Sequence, residues 1–254
     1  MKTTLTAVVV FTLALSACAT APSTATNPAA VARGATVKAL AAGKLDALPT
    51  GPVYVRFIRF VSPPGYTVQS KQHVPSFLYV ETGVHELTLA GQVPIDLTAG
   101  QATFHQSATH THVNPGTDTS VWYSIAIWPS SARGTASVDK IAEAAFESPD
   151  IDRTSLPEVA YAVVLREVTL AAQGTSSAHR FGGLTAFFVI SGAVTLKSEH
   201  QSSVTVSGGH GYVFLPDVAL QEVNTGSDPV VYLQFISTPV GRDFEVPLQQ
   251  PPAA

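Results

Sequence analysis

The strongest constraint in this sequence is that it nearly repeats itself. Shifted by 109 residues, Gly65 falls on Gly174, Val80 on Val189, Gly83 on Gly192, Leu87 on Leu196 and Gly100 on Gly209. After one inserted residue the offset is 110: Asn114 meets Asn224, Gly116 meets Gly226, Asp118 meets Asp228, Val121 meets Val231 and Pro129 meets Pro239. The period is longer than that of solenoid repeats, so each copy reads as a complete small domain. Glycines kept at the same places in both copies point to turns whose backbone needs positive φ.

Between these glycines the sequence reads as short strands. In the first copy they cover 53–61, 77–80, 84–89, 93–97, 102–105 and 121–128; in the second, 159–170, 186–190, 193–196, 204–206, 212–215 and 230–236. Ile95 and Leu97 alternate with polar neighbours, as in a half-buried strand. Eighteen glycines and eighteen prolines suit strands joined by turns. Two stretches read as short helices instead. Residues 28–48 are alanine-rich, with Val31, Val37, Leu40, Ala41 and Leu45 near helical spacing, weakened by Gly34 and Gly43. Residues 137–146 place Val138, Ile141 and Ala145 on one face, with Ser137 as a candidate N-cap.

With 254 residues the chain is long enough to bury a real core. Charged residues make up 13%, and the net charge is −4 without a basic run, which argues against a nucleic-acid partner. At the N-terminus, Lys2 precedes an apolar run from residue 7 to residue 15 that is too short to span a bilayer. It ends in Leu15-Ser16-Ala17-Cys18, which resembles the lipobox of bacterial lipoproteins. That resemblance implies lipidation at Cys18, a membrane partnership through the acyl chains, and a periplasm-facing place in the envelope, with Ala19 implying the outer membrane. The other readings of Cys18 are an ordinary secretory signal or a buried thiol; as the only cysteine it can form no disulfide within one chain. The organisation expected is therefore signal peptide and lipobox (1–18), tether and short helix (19–50), first domain (51–130), linker with helix (131–157), second domain (158–240) and tail (241–254).

Each copy resembles a cupin domain. In the first, Gly65, His73, Tyr79-Val80 and Gly83 match the first cupin motif, and Gly100, His110 and Asn114 the second. In the second copy Gly174, His179, Phe188-Val189 and Gly192, then Gly209, Pro216 and Asn224, hold those places. The resemblance spans about 53–129 and 159–239. It implies an all-β fold of two tandem jelly-roll β-barrels, joined here by short helices. It also implies a divalent metal held by two His and a Glu of the first motif and one His of the second. This sequence departs from that set. Ser76 stands at the Glu position, Ser70 and Gln72 at the His pair, with His73 one residue beyond. His112, two residues after His110, shares its face in an extended segment. In the second copy Phe181 and Thr185 replace the second His and the Glu, and Leu220 or Gln221 the last His, so that barrel reads as metal-free with a mainly apolar pocket near Phe187 or Phe188 and Tyr212 or Phe214.

His73, His110 and His112 are thus the candidate ligands for one divalent metal in the first barrel, with Glu81 as a candidate carboxylate. His85 and His105 read as structural, His200 and His210 as exposed, and Glu222, which overlays His112, as a surface carboxylate. Two functions remain open at this point. One is a lipid-anchored envelope module that binds a small molecule or serves structurally, with a degenerate metal site. The other is a metal-dependent dioxygenase, isomerase or lyase using the first barrel. Nothing in the sequence names a catalytic residue.

Overall fold

The computed structural model describes residues 33–70, 74–134, 140–199, 201–249 and 252. The lipobox with Cys18, the tether before residue 33, His73 and His200 lie outside them. Strand β1 (Ala35–Leu45) comes first, then β2 (Val53–Ser62), β3 (Thr67–Ser70), β4 (Ser76–Thr82), β5 (Val84–Leu89), β6 (Ile95–Thr98), β7 (Ala102–His105), β8 (His110–Val113) and β9 (Ser120–Pro129). Strand β10 (Ala142–Glu147) leads to the second copy: β11 (Tyr161–Leu170), β12 (His179–Phe181), β13 (Leu184–Ser191), β14 (Ala193–Ser198), β15 (Gln201–Ser207), β16 (Gly211–Phe214), β17 (Ala219–Val223) and β18 (Val230–Pro239). Strand β19 (Glu245–Pro247) closes the series.

The repeat holds at the level of sheet topology. Strand order β2-β9-β4-β7 in one sheet of copy one corresponds to β11-β18-β13-β16 in copy two, and β3-β8-β5-β6 to β12-β17-β14-β15. Each copy is thus a two-sheet antiparallel jelly roll. The shared glycines behave as the repeat suggests at two turns: Gly83 and Gly192 have φ of +77° and +79°, and Gly100 and Gly209 have +77° and +79°. Asn114 and Asn224 explain another shared pair of positions. Asn114 Nδ2 donates to the carbonyls of Ser62 and Asp118, both at 2.9 Å, while its Oδ1 accepts from Gly116 N at 3.0 Å. Asn224 does the same for Leu170, Ala171, Asp228 and Gly226. One buried amide therefore ties the loop entering the last long strand to the end of the first.

Both expected helices are strands where the structure describes them. Residues 35–45 pair antiparallel with β11, so the segment ahead of copy one completes a sheet of copy two. Residues 142–147 pair with β2 and extend copy one instead. Alanine is the best helix former, but helix propensity is worth only tenths of a kcal/mol per residue, and an unpaired sheet edge offers a full ladder of hydrogen bonds that overrides it. Gly43 has a packing reason in this setting: a Cβ there would lie 2.3 Å from the Phe104 ring of β7. The mirror contact sets Phe146 of β10 against Gly211 of β16, where a Cβ would lie 2.5 Å from the ring. The helical turns among the described residues are short 3-10 segments, Ser130–Ala132 and Arg153–Ser155.

The largest core lies between the barrels. Alternation along β2 sends Val53, Val55 and Phe57 to this face, where they join Phe77, Tyr123, Leu165, Phe188 and Phe235 from both copies. The Phe57 and Phe188 rings stack at 5.1 Å, and Phe77 meets Phe235 edge-on at 5.9 Å. Each barrel also has its own interior cluster, around Leu78, Leu87 and Trp122 in the first and Phe187, Leu196 and Ile236 in the second.

Candidate functional site

The inner face of the first barrel gathers histidines. His110 and His112 occupy alternate positions of β8 and both point inward, 1% and 5% exposed. His85 on β5 and His105 at the end of β7 join them, equally buried. The rings form a chain: His105 to His110 at 4.8 Å between centroids, His110 to His112 at 4.7 Å, His112 to His85 at 5.1 Å. Trp122 stacks on His112 at 4.5 Å and anchors its indole N–H on Ser62 Oγ at 2.9 Å.

The ring nitrogens make contacts within the protein. His85 Nε2 and His112 Nδ1 are hydrogen-bonded at 3.0 Å, His105 Nε2 pairs with Ser76 Oγ at 3.0 Å, and His110 Nδ1 meets the Ala108 carbonyl at 2.7 Å. His105 Nδ1 lies 3.1 Å from the Gln106 carbonyl. Burial pushes His85 down to about 3 and also lowers His110, against the opposing pull of the Ala108 carbonyl, so both rings are neutral at physiological pH.

The ligand set that the cupin motif implies includes a carboxylate beside these rings. Ser76, at the position where the cupin motif has its carboxylate, faces the rings but brings a hydroxyl. Glu81 does not substitute for it: at a bulge in β4 its carboxylate accepts from the Tyr123 hydroxyl at 3.1 Å, on the inter-barrel side. Among the described residues no three His, Cys, Asp or Glu side chains come together in an arrangement that would hold a metal ion. The described donors of the first barrel therefore do not fit the metal that the motif implies.

The alternation of the sequence puts His110 and His112 together, but reading His85 and His105 as merely structural misses that they share this interior. The signal for His85 is present. It lies two and four residues before Leu87 and Leu89, and all three are buried on one face of β5.

Copy two replaces this inner layer almost entirely. Its equivalent positions hold Val194 for His85, Phe214 for His105, Leu220 for His110 and Glu222 for His112. Phe187 and Phe214 meet edge-on at 5.9 Å within the interior, whereas Phe188 faces the other barrel. The expectation of a mainly apolar pocket is corrected by what lies beside them. Glu222 is 1% exposed, not a surface carboxylate, and faces His179, which is 3% exposed. Glu222 Oε1 is 3.4 Å from His179 Nε2, and Glu245 Oε1 is 3.6 Å from Nδ1, which donates to the Ser177 carbonyl at 2.9 Å. Arg166 bonds Glu245 at 2.9 Å, and the Ser176 hydroxyl donates to Glu222. Burial alone would lower His179, but Glu222, Glu245 and the Ser177 carbonyl outweigh it and push the imidazole up to about 9. Burial likewise opposes ionisation of Glu222, and the His179 charge and Ser176 hydroxyl overcome it, holding that carboxyl below its usual range. A separate open groove of about 610 Å³ runs along Leu45, Leu48, Val74, Ile127, Trp128 and Pro129.

No protein-family model matches the chain, and no curated protein matches it in sequence. Its fold does have counterparts among solved structures. The oxalate decarboxylase of Lactobacillus farciminis, solved as a formate complex, superposes with a TM-score of 0.56 at 9% identity, over 81% of this chain and 88% of that one. A point mutant of Bacillus subtilis oxalate decarboxylase gives 0.54 at 10% identity, over 86% and 80%. AerE from Microcystis aeruginosa gives 0.51 at 13% identity, over 78% and 98%. At such identities the likeness speaks for the fold alone, and it agrees with the paired jelly rolls and the shared motifs: the chain has the cupin fold in its two-barrel form.

Proposed function

We propose that this protein is a lipid-anchored, periplasm-facing module of the bacterial envelope that binds a small molecule or serves structurally, its cupin metal site degenerate. The observation that carries this reading is the first barrel's inner layer, where Ser76 replaces the motif's carboxylate and the imidazoles bond to one another, to Ser76 and to backbone carbonyls. The open groove of about 610 Å³ has the size and largely apolar lining of a small-molecule site. Metal analysis of the soluble form lacking Cys18 tests the reading. Substoichiometric metal that does not change on His110→Ala is expected. Stoichiometric metal that is lost in His110→Ala would replace this reading with that of a metal-dependent enzyme, which four buried imidazoles in one barrel favour as the second reading.

Lipidation of Cys18 supplies the membrane partnership in this proposal, since acyl chains anchor a chain without spanning the bilayer. A Cys18→Ser protein is expected to leave the membrane fraction for the soluble one on fractionation. Retention in the membrane fraction would remove the anchor from the proposal.

A further inference from the structure

The second barrel holds two polar atoms that its own packing leaves unanswered. His179 Nε2 and Glu222 Oε1 are buried and have no hydrogen-bond partner. They face each other at 3.4 Å, beyond the usual 2.7–3.2 Å range for an N–H···O bond. Neighbouring atoms of the cluster do have partners: Nδ1 of His179 in the Ser177 carbonyl, the other oxygen of Glu222 in Ser176, and Oε2 of Glu245 in Arg166. Beside the two orphan atoms is a cavity of about 30 Å³, lined by Arg166, Ser176, His179, Glu222, Gln234 and Glu245. A void needs on the order of 10–15 Å³, and two to four polar partners, to hold a water-sized guest.

The character of the two atoms selects the guest. The imidazolium N–H is a donor and the carboxylate oxygen an acceptor, and their ion-pair contact at 3.4 Å falls short of hydrogen-bond geometry, so each keeps capacity for a further partner. A hydroxyl accepts from one and donates to the other through a single atom, which suits a cavity of about 30 Å³ better than an amide that needs two. Charge supports the choice, because His179 and Arg166 balance Glu222 and Glu245. An anion would meet two carboxylates, and a cation would meet the imidazolium and the guanidinium. A bare apolar group would leave both atoms without that partner in a dry site.

We infer that the second barrel carries a metal-independent hydroxyl-binding site, in which one O–H accepts from His179 Nε2 and donates to Glu222 Oε1. The site sits at the barrel edge between β1 and β19, with Ala35 and Val37 on one side and Glu245 on the other. The inference deepens the binding-module reading by naming a ligand chemistry, but it uses no residue of the first barrel. A metal found there would overturn that reading and leave this site standing.

The hydroxyl can come from solvent water or from a small alcohol, and the test separates the two. The reporter is the His179 imidazole of the isotopically labelled soluble chain, followed by NMR. A water molecule of long residence is expected to give a cross-relaxation peak to the His179 ring. Methanol, used as the hydroxyl probe, is expected to abolish that peak with a saturable shift of the imidazole resonances, while acetonitrile, similar in size but without a hydroxyl, leaves them unchanged. A water peak that methanol does not displace supports the site with water as its occupant. Neither a water peak nor a saturable methanol shift overturns the inference, as does an equal response to acetonitrile. In Glu222→Leu, which removes the acceptor, both signals are expected to disappear. If that variant does not fold, the wild-type measurements decide alone.

Discussion

Replacing Phe188 with alanine is expected to lower the melting temperature of the soluble chain by roughly 6–20 °C. Phe188 is 1% exposed and lies in the inter-barrel core, stacked on Phe57 at 5.1 Å and tilted against Tyr123 at 5.4 Å. Both partners come from the first copy, so the truncation opens a cavity at the joint and not within one barrel. Removing a buried phenylalanine ring costs about 3–5 kcal/mol, and in a chain of this size each kcal/mol shifts the midpoint by roughly 2–4 °C. The crossed strands sharpen the expectation. Since β1 belongs to the sheet of copy two and β10 to that of copy one, loosening the joint strains both sheets together. A single cooperative transition at lower temperature in calorimetry is the predicted form of the result. A shift below about 2 °C, or two resolved transitions, would show that the barrels do not depend on this core.

The second large effect concerns Glu222→Gln, and it depends on pH. The His179 imidazole is pushed up to about 9 in the folded chain, above the ordinary value of about 6.5 in an unfolded one. The stabilisation this represents is fully present below pH 6.5 and is lost as the pH rises through 9, because the folded state then gives up the proton it holds more tightly. Its size is roughly 3 kcal/mol, appropriate to a pair that is almost wholly buried. Glutamine keeps the shape of Glu222 and removes its charge. Glu245 and the Ser177 carbonyl hold part of that shift, so the variant is expected to be less stable than the parent at pH 6 by part of that amount, with the gap closing towards pH 9.5. Above that pH the parent carries a buried carboxylate beside a neutral ring. Denaturant unfolding of both proteins across this range checks it. An equal deficit at pH 6 and pH 9.5 would show that the pair contributes shape and not charge.

Much of the architecture could be read from the sequence because it is written twice. Gly83 and Gly192, Gly100 and Gly209, and Asn114 and Asn224 stand at matching places, and each pair performs the same backbone task in both barrels. The alternation of β8 likewise placed His110 and His112 on one face. The edges were not legible. Residues 35–45 and 142–147 have helical spacing locally, and what makes them strands is a partner far away in the chain, β11 for one and β2 for the other. A propensity of a few tenths of a kcal/mol per residue cannot compete with a complete ladder on a sheet that already exists.

The site divides in the same way. Which residue types are present, and that the second copy lost most of its histidines, is a matter of sequence. That His85 and His105 close onto His110 and His112, or that Glu222 faces His179 and not solvent, depends on strand register. Register is set by pairing between distant segments, and a slip of one residue would turn each of these side chains to the opposite face. Two copies of a small β domain, their turns, and a first copy rich in imidazole follow from the residues alone. Which side chains share an interior was left to the folded chain. It brought β17, β12 and β19 together in one sheet, and burial then turned an isolated glutamate into the partner of a charged histidine.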